Sequence, residues 1–283
     1  LVGCFDDNDQ QQDFSDVTTE AEEPDSLFAV YEDSLNKYFG VLEQDLLKNY
    51  KRSYEELSTE QEFYNFYRNT YTLKANLKRT LQSHIRGLKE KGMEEIPPFD
   101  WFEEVASGLE VASVDSGETC DIFYDYDIML DYAQKTEGTA DDAYAKLIRL
   151  CFGDNQYYPV WVMPYEDNNS SYFSCSRLGS GKHYTAMRQW LIARSKGELF
   201  KRELAKVKRL IYRDIFFKNE YCYSSSLAIK ELQNIVRKLD LKSNDKVLFE
   251  ARIKQMQDPD RYDLQFDCQT GDCKKEMNKR PSV

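Results

Sequence analysis

Ser58-Thr59-Glu60-Gln61-Glu62-Phe63-Tyr64-Asn65-Phe66 opens the stretch whose reading decides the fold. From Phe63 onward, Phe66, Thr70, Leu73, Leu77, Leu81, Ile85 and Leu88 recur at steps of three and four residues, the period of one helix face. Ser58, with Gln61 three residues on, has the spacing of a capping box, in which a side-chain oxygen takes a free amide of the first turn. Gly92 marks the stop. On the other side of Ser58, Tyr31, Leu35, Tyr38, Leu42, Leu46 and Leu57 form a second stripe, with Phe39 and Tyr50 beside it. This pattern predicts one long helix from Leu27 to Leu57. Two long helices with a short connection pack antiparallel, so residues 27–93 are expected to form a helical hairpin. His84 lies near the stripe with no second histidine nearby, and is expected to be a core or boundary histidine.

Outward from the hairpin, residues 94–273 are expected to complete the same globular domain. Pro97-Pro98 ends the hairpin, and Trp101, Phe102, Val105 and Leu109 predict a short helix, followed by a loop between Gly108 and Gly117. Asp121/Asp125 and Asp127/Asp131 are each four apart, which predicts an acidic outer face on a helix whose Phe123, Met129 and Leu130 point inward. Thr139 is placed to cap a further helix that runs to Gly153. Tyr157 to Tyr165 is rich in strand formers and bounded by prolines, as an edge strand would be. Glu166 to Lys182 reads as a long irregular loop. Helical periods return over 184–194, 200–215 and 227–239, the last capped by Ser224 to Ser226. Near the end, Val247-Leu248-Phe249 and Tyr262 to Phe266 suggest a β-hairpin, and residues 274–283 a tail. The fold class is therefore mainly α: a helical hairpin plus further packed helices, with a small β-hairpin or edge strand near the C-terminus.

The first residues, Leu1-Val2-Gly3-Cys4, resemble the lipobox of a bacterial lipoprotein. That resemblance implies that residues 1–4 are a lipobox remnant within a precursor, that Cys4 carries lipid, and that the bilayer is a partner through Cys4. Phe5-Asp6-Asp7-Asn8-Asp9 is similar to the acidic run that sends lipoproteins outward, which implies the bacterial outer membrane, facing the cell surface or the periplasm. Residues 5–26 are acidic and polar with few apolar side chains, the composition of a flexible tether. No stretch approaches eighteen consecutive apolar residues, so lipid is the expected attachment.

Six cysteines remain besides Cys4, an even number that suits an oxidising envelope. Cys268 with Cys273 is the expected disulfide, because Gln269-Thr270-Gly271-Asp272 can turn tightly between them. Cys120, Cys151, Cys175 and Cys222 are left open between disulfides and buried thiols. Charge is unevenly distributed: residues 94–172 hold eighteen acids and three bases, a net −15, and residues 173–283 hold fourteen acids and twenty-four bases, a net +10. Pairing of these two regions inside the fold is the expectation. An overall net charge of −12 and the lack of a binding motif exclude nucleic acid as a partner.

The segment 157–183 is the expected contact for a protein or glycan partner, through Trp161, Tyr165, Tyr172, Phe173, Arg177 and His183. Gly179-Ser180-Gly181-Lys182 is not a phosphate loop: its first glycine falls at Ser176, and His183 stands where a hydroxyl should bind magnesium. Cys175 and His183 have the residue types of a thiol nucleophile and base, but no third group orients them. No catalytic residue, metal site or cofactor is assigned. The expected function is non-enzymatic binding of another macromolecule, as an immunity or inhibitor protein or an assembly subunit. The alternative is an envelope glycan or peptidoglycan hydrolase using carboxylates among Glu103, Glu104, Asp125 and Asp127.

Overall fold

The computed structural model describes residues 26–92, 99–114, 119–153, 157–166, 172–261 and 263–267. Residues 1–25, which include the lipobox-like start with Cys4 and most of the expected tether, and residues 268–283, which include Cys268, Cys273 and the expected tail, lie outside the described residues. The described chain is mainly α, with two short antiparallel hairpins.

The expected first helix is three. α1 (Ser26–Val30) and α2 (Glu32–Tyr38) precede a break at Phe39, which is extended, and α3 (Val41–Glu55) restarts from Gly40. The break turns the Phe39 ring into the core against Trp101 and Phe102. Leu42, expected inward, is consequently exposed. α4 (Glu60–Glu90) keeps the predicted stripe, burying Phe63, Phe66, Thr70, Leu73, Leu77, Leu81 and Ile85 over about 46 Å of helix. Its cap is one residue later than expected. Thr59 Oγ1 accepts from the Glu62 N–H at 3.3 Å, and the Glu62 carboxylate accepts from the backbone N–H groups of Ser58 and Thr59 and from the Ser58 hydroxyl. A carboxylate takes three donors, which holds Glu62 down at about 2. Gln61 instead donates to Asn65. His84 sits edge-on to Tyr38, where partial burial lowers its pKa, and its Nε2 has no hydrogen-bond partner among the described residues.

α5 (Asp100–Val105) is the short helix predicted from Trp101 and Phe102. The loop expected after Gly108 is instead β1 (Leu109–Val114), antiparallel to β2 (Thr119–Tyr124) with Val111 opposite Ile122. The acidic run is therefore not one helix. Asp121 lies on β2 and pairs with Lys78 of α4, while Asp125 caps α6 (Tyr126–Gln134), accepting from the N–H groups of Asp127 and Ile128. α7 (Ala140–Phe152) follows with Thr139 at its N-cap position, but the cap bonds come from α4. The Glu60 carboxylate accepts from the N–H groups of Thr139 and Ala140.

β3 (Val162–Glu166) and β4 (Tyr172–Ser176) form the second hairpin, so part of the expected loop is strand. α8 (Lys182–Ser195), α9 (Lys201–Phe217) and α10 (Ser225–Lys238) match the predicted helices. α11 (Ser243–Gln257) replaces the expected C-terminal hairpin: Phe249 is buried within it, while Val247 and Leu248 are exposed. What remains of strand character there is a single bridge from Gln265 to Glu220.

One continuous core runs from Phe28 to Leu264. Phe200, just before α9, stacks on Tyr144 of α7 at 4.5 Å and meets Tyr64 of α4 edge-on, joining the C-terminal helices to the hairpin. Ion pairs among the described residues do not join the acidic middle to the basic third as expected: Lys208 pairs with Asp245, and Arg149 with Asp127. The basic third is neutralised partly from within, leaving other cations exposed on it.

Candidate binding cleft

Within the segment 157–183, β4 and the turn after it are held in place from beneath by bonds that sequence spacing does not reveal. Cys175 on β4 is disulfide-bonded to Cys222, 47 residues on. Beside this link the Ser176 N–H donates to the Glu220 carbonyl and the Cys222 N–H to that of Ser176. Cys175 is thus no nucleophile, and the Cys175/His183 pairing is removed. His183 is wholly buried, with Nε2 2.7 Å from Asp214 Oδ2, and Ser176 Oγ donates to the same oxygen at 2.5 Å. The carboxylate stands between hydroxyl and imidazole, so the imidazole does not touch the serine oxygen. A nucleophilic triad requires the imidazole in the middle. This cluster braces α8, α9 and β4 against one another.

The glycine-rich turn before α8 has an equally internal purpose. Glu231 of α10, buried, accepts from the N–H groups of Gly179 at 2.6 Å, Gly181 at 2.9 Å and Tyr184 at 2.8 Å. The chain's own carboxylate occupies the place where a phosphate loop would cradle an anion. Gly179 and Gly181 both have positive φ, and a Cβ on Gly179 would approach Tyr223 Cβ to 3.0 Å.

Above these anchors lies a cleft of about 530 Å³. Tyr157, Tyr158, Pro159 and Trp161 line one side, and Leu210, Arg213, Phe217 and Lys218 of α9 and its end line the other. Phe217 is 79% exposed and Tyr157 52%, an unusual exposure for rings of this size. The Tyr157 ring meets Phe123 edge-on at 4.6 Å, which fixes it from the side of β2. Lys218 Nζ donates to the Ser174 carbonyl and hydroxyl, bracing β4. Arg213 is exposed and has no side-chain partner among the described residues. Aromatic faces can stack on flat groups, and a guanidinium can form bidentate bonds to a carboxylate.

The expected contact residues are distributed unevenly about this cleft. Trp161 lines it but is fully buried, so it forms the floor. His183 is beneath the surface, and Arg177 turns inward, donating to the Val160 carbonyl. The backbone of Tyr165 pairs with Phe173 and that of Glu166 with Tyr172, while the side chains of Tyr165, Tyr172 and Phe173 lie outside the described part. Arg213 and Phe217 were not identified from sequence. Their signal was there: both fall off the stripe Leu204, Val207, Ile211, Ile215 that α9 buries.

Of the carboxylates of the hydrolytic alternative, Glu104 and Asp125 both lie within electrostatic reach of Glu103. Asp125 is engaged as a helix cap and Asp127 with Arg149; Glu103 and Glu104 lie exposed on α5, where desolvation and then Glu110 raise Glu103. No family model matches the chain, and no curated protein or solved structure is significantly similar to it.

Proposed function

We propose that this chain is a lipid-anchored bacterial envelope lipoprotein, held at the outer membrane through Cys4, that binds another macromolecule, protein or glycan, in the cleft between segment 157–161 and α9. One observation carries the reading. Three exposed aromatic rings, Tyr157, Tyr158 and Phe217, and an unengaged arginine surround a hollow whose walls are fixed by a disulfide and by the buried Ser176–Asp214–His183 cluster. Exposed rings on a rigid support lose little entropy on binding, which is the signature of an interaction surface. A disulfide here suits the oxidising compartment that the lipobox-like start implies. An immunity or inhibitor protein, or a subunit of an envelope assembly, would each use such a surface.

The test is crosslinking in the native type of cell, with capture on a C-terminal tag and mass spectrometry of the Cys4 peptide and of co-captured material. A diacylated Cys4, together with a partner that is captured by the parent protein and lost by Phe217→Ala and Arg213→Glu, is the expected result. Both substitutions are at exposed positions and leave the fold intact. An unlipidated Cys4 would remove the anchor, and a partner retained by both variants would remove the cleft.

A further inference from the structure

Sharing no lining residue with the cleft beside α9, a groove of about 320 Å³ lies between α3 and α4. Its floor is apolar, formed by Tyr50, Phe66 and Leu73, with the Tyr50 and Phe66 rings 5.2 Å apart. Its rim carries Asn49 from α3 and Asn69, Thr72 and Asn76 from α4. Every residue lining the groove is uncharged, in a chain of which 31% is charged. That is a selection by position, because Lys48, Lys51, Arg68 and Lys74 lie on the same two helices and none lines the hollow. Asn and Thr are weaker helix formers than the Ala, Glu or Lys that exposed helix positions favour, so local propensity does not account for four of them along one groove. The side-chain amides of Asn49, Asn69 and Asn76 make no hydrogen bond among the described residues.

We infer that this groove binds a neutral oligosaccharide. A sugar hydroxyl donates and accepts at once, and a primary amide offers both functions with fixed geometry. A pyranose ring also presents an apolar C–H face, which suits an aromatic and aliphatic floor beneath a polar rim. Uronic or sialic acids would need a cation to balance their carboxylate, and the lining supplies none. The site is separate from the cleft of α9, and its existence does not depend on that cleft's function.

The full-length protein, titrated with maltotriose, chitotriose, mannotriose and, as the anionic control, trigalacturonate, tests the assignment by calorimetry and saturation-transfer NMR. At least one neutral trisaccharide is expected to bind and trigalacturonate to fail. Combining Asn69→Ala and Asn76→Ala is expected to weaken that binding at least tenfold while circular dichroism and melting temperature hold or rise, since Ala favours the helix. Phe217→Ala is expected to leave saccharide binding unchanged. No binding by any neutral trisaccharide, binding of trigalacturonate alone, undiminished binding by the double variant, or loss in Phe217→Ala would each overturn it.

Discussion

Lys74 shows how much a single side chain can reveal about its surroundings. Its Nζ lies 3.9 Å from the centroid of the Tyr124 ring, with Lys78 and Asp121 close by. Desolvation, reinforced by Lys78 and opposed by Asp121, lowers its pKa to about 8. The unfolded chain, titrating near 10.4, then binds more protons than the folded one between about pH 8 and 10.4, so stability rises with pH across that window. NMR of the ε-amine is expected to give a midpoint near 8, and Lys74→Met to flatten the rise in denaturant midpoint; a midpoint above 10 would show that the amine is solvated. Among the described residues, Cys120 and Cys151 are unpaired thiols, and Cys175 and Cys222 are the bonded pair. Cys120 is pushed up to about 11 by burial, and Cys151 is raised as well, so both behave as core residues and are expected to resist iodoacetamide at pH 8 until the protein unfolds. Glu231 is the strongest case of an internal role. Glu231→Ala leaves three amides of the glycine turn without acceptors and is expected to cost at least about 2 kcal/mol in chemical denaturation, because an orphaned buried donor keeps its desolvation penalty.

Among the elements, the cap of α4 shows how a short motif controls a long helix. Thr59→Ala is expected to lower stability by about 1 kcal/mol in a denaturant titration, the usual loss when a hydroxyl cap is removed. Glu62 adds a pH signature. Its pKa is about 2 when folded and near 4.3 when unfolded, so its contribution is present above about pH 4 and is lost as pH falls towards 2. Glu62→Ala is expected to remove that part of the acid sensitivity; an unchanged profile would show that Ser58 and Thr59 find other acceptors. The same region shows what sequence can and cannot carry. α4, α7, α9 and α10 are legible because their apolar residues repeat over several turns, and long repeats average out local exceptions. α11 escaped detection because Arg252 lies in its buried stripe between Phe249 and Met256. That guanidinium is paired with the carbonyls of Ile215 and Lys218, closing the open C-terminal end of α9, a role that no local pattern announces. β1 and β2 were missed for the opposite reason. Six-residue strands offer too few repeats, and the four-residue spacing of Asp121 and Asp125 imitates a helix where a strand ends and a cap begins. Segment 157–161 was readable as one wall of the cleft, but the other wall, Arg213 and Phe217, arrives from some fifty residues away by tertiary packing alone.

For the molecule as a whole, the decisive constraint is that the cleft is assembled from parts distant in sequence, and the Cys175–Cys222 bond closes them into one unit. The bond spans 47 residues and encloses α8 and α9 entirely, together with the glycine turn and the Asp214–His183 contact. Closing a loop of that length removes conformations from the unfolded chain worth about 4 kcal/mol in the chain-entropy account. It acts alongside one uninterrupted core, so the disulfide is not needed to define the fold. Its larger effect is local: beside it, β4 and the segment after α9 are joined by the backbone hydrogen bonds Ser176 to Glu220 and Cys222 to Ser176. With Cys175→Ala and Cys222→Ala combined, the melting transition is expected to shift to lower temperature and remain cooperative, while amide exchange accelerates at 174–177 and 219–223 far more than in α4. Because Lys218 holds Ser174 and Phe217 directly precedes it, a loosened β4 displaces the aromatic rim, and capture of a partner through the cleft should weaken even where the protein stays folded. Equal acceleration in α4 would instead show that the disulfide supports the whole core, and would detach it from any special part in the cleft.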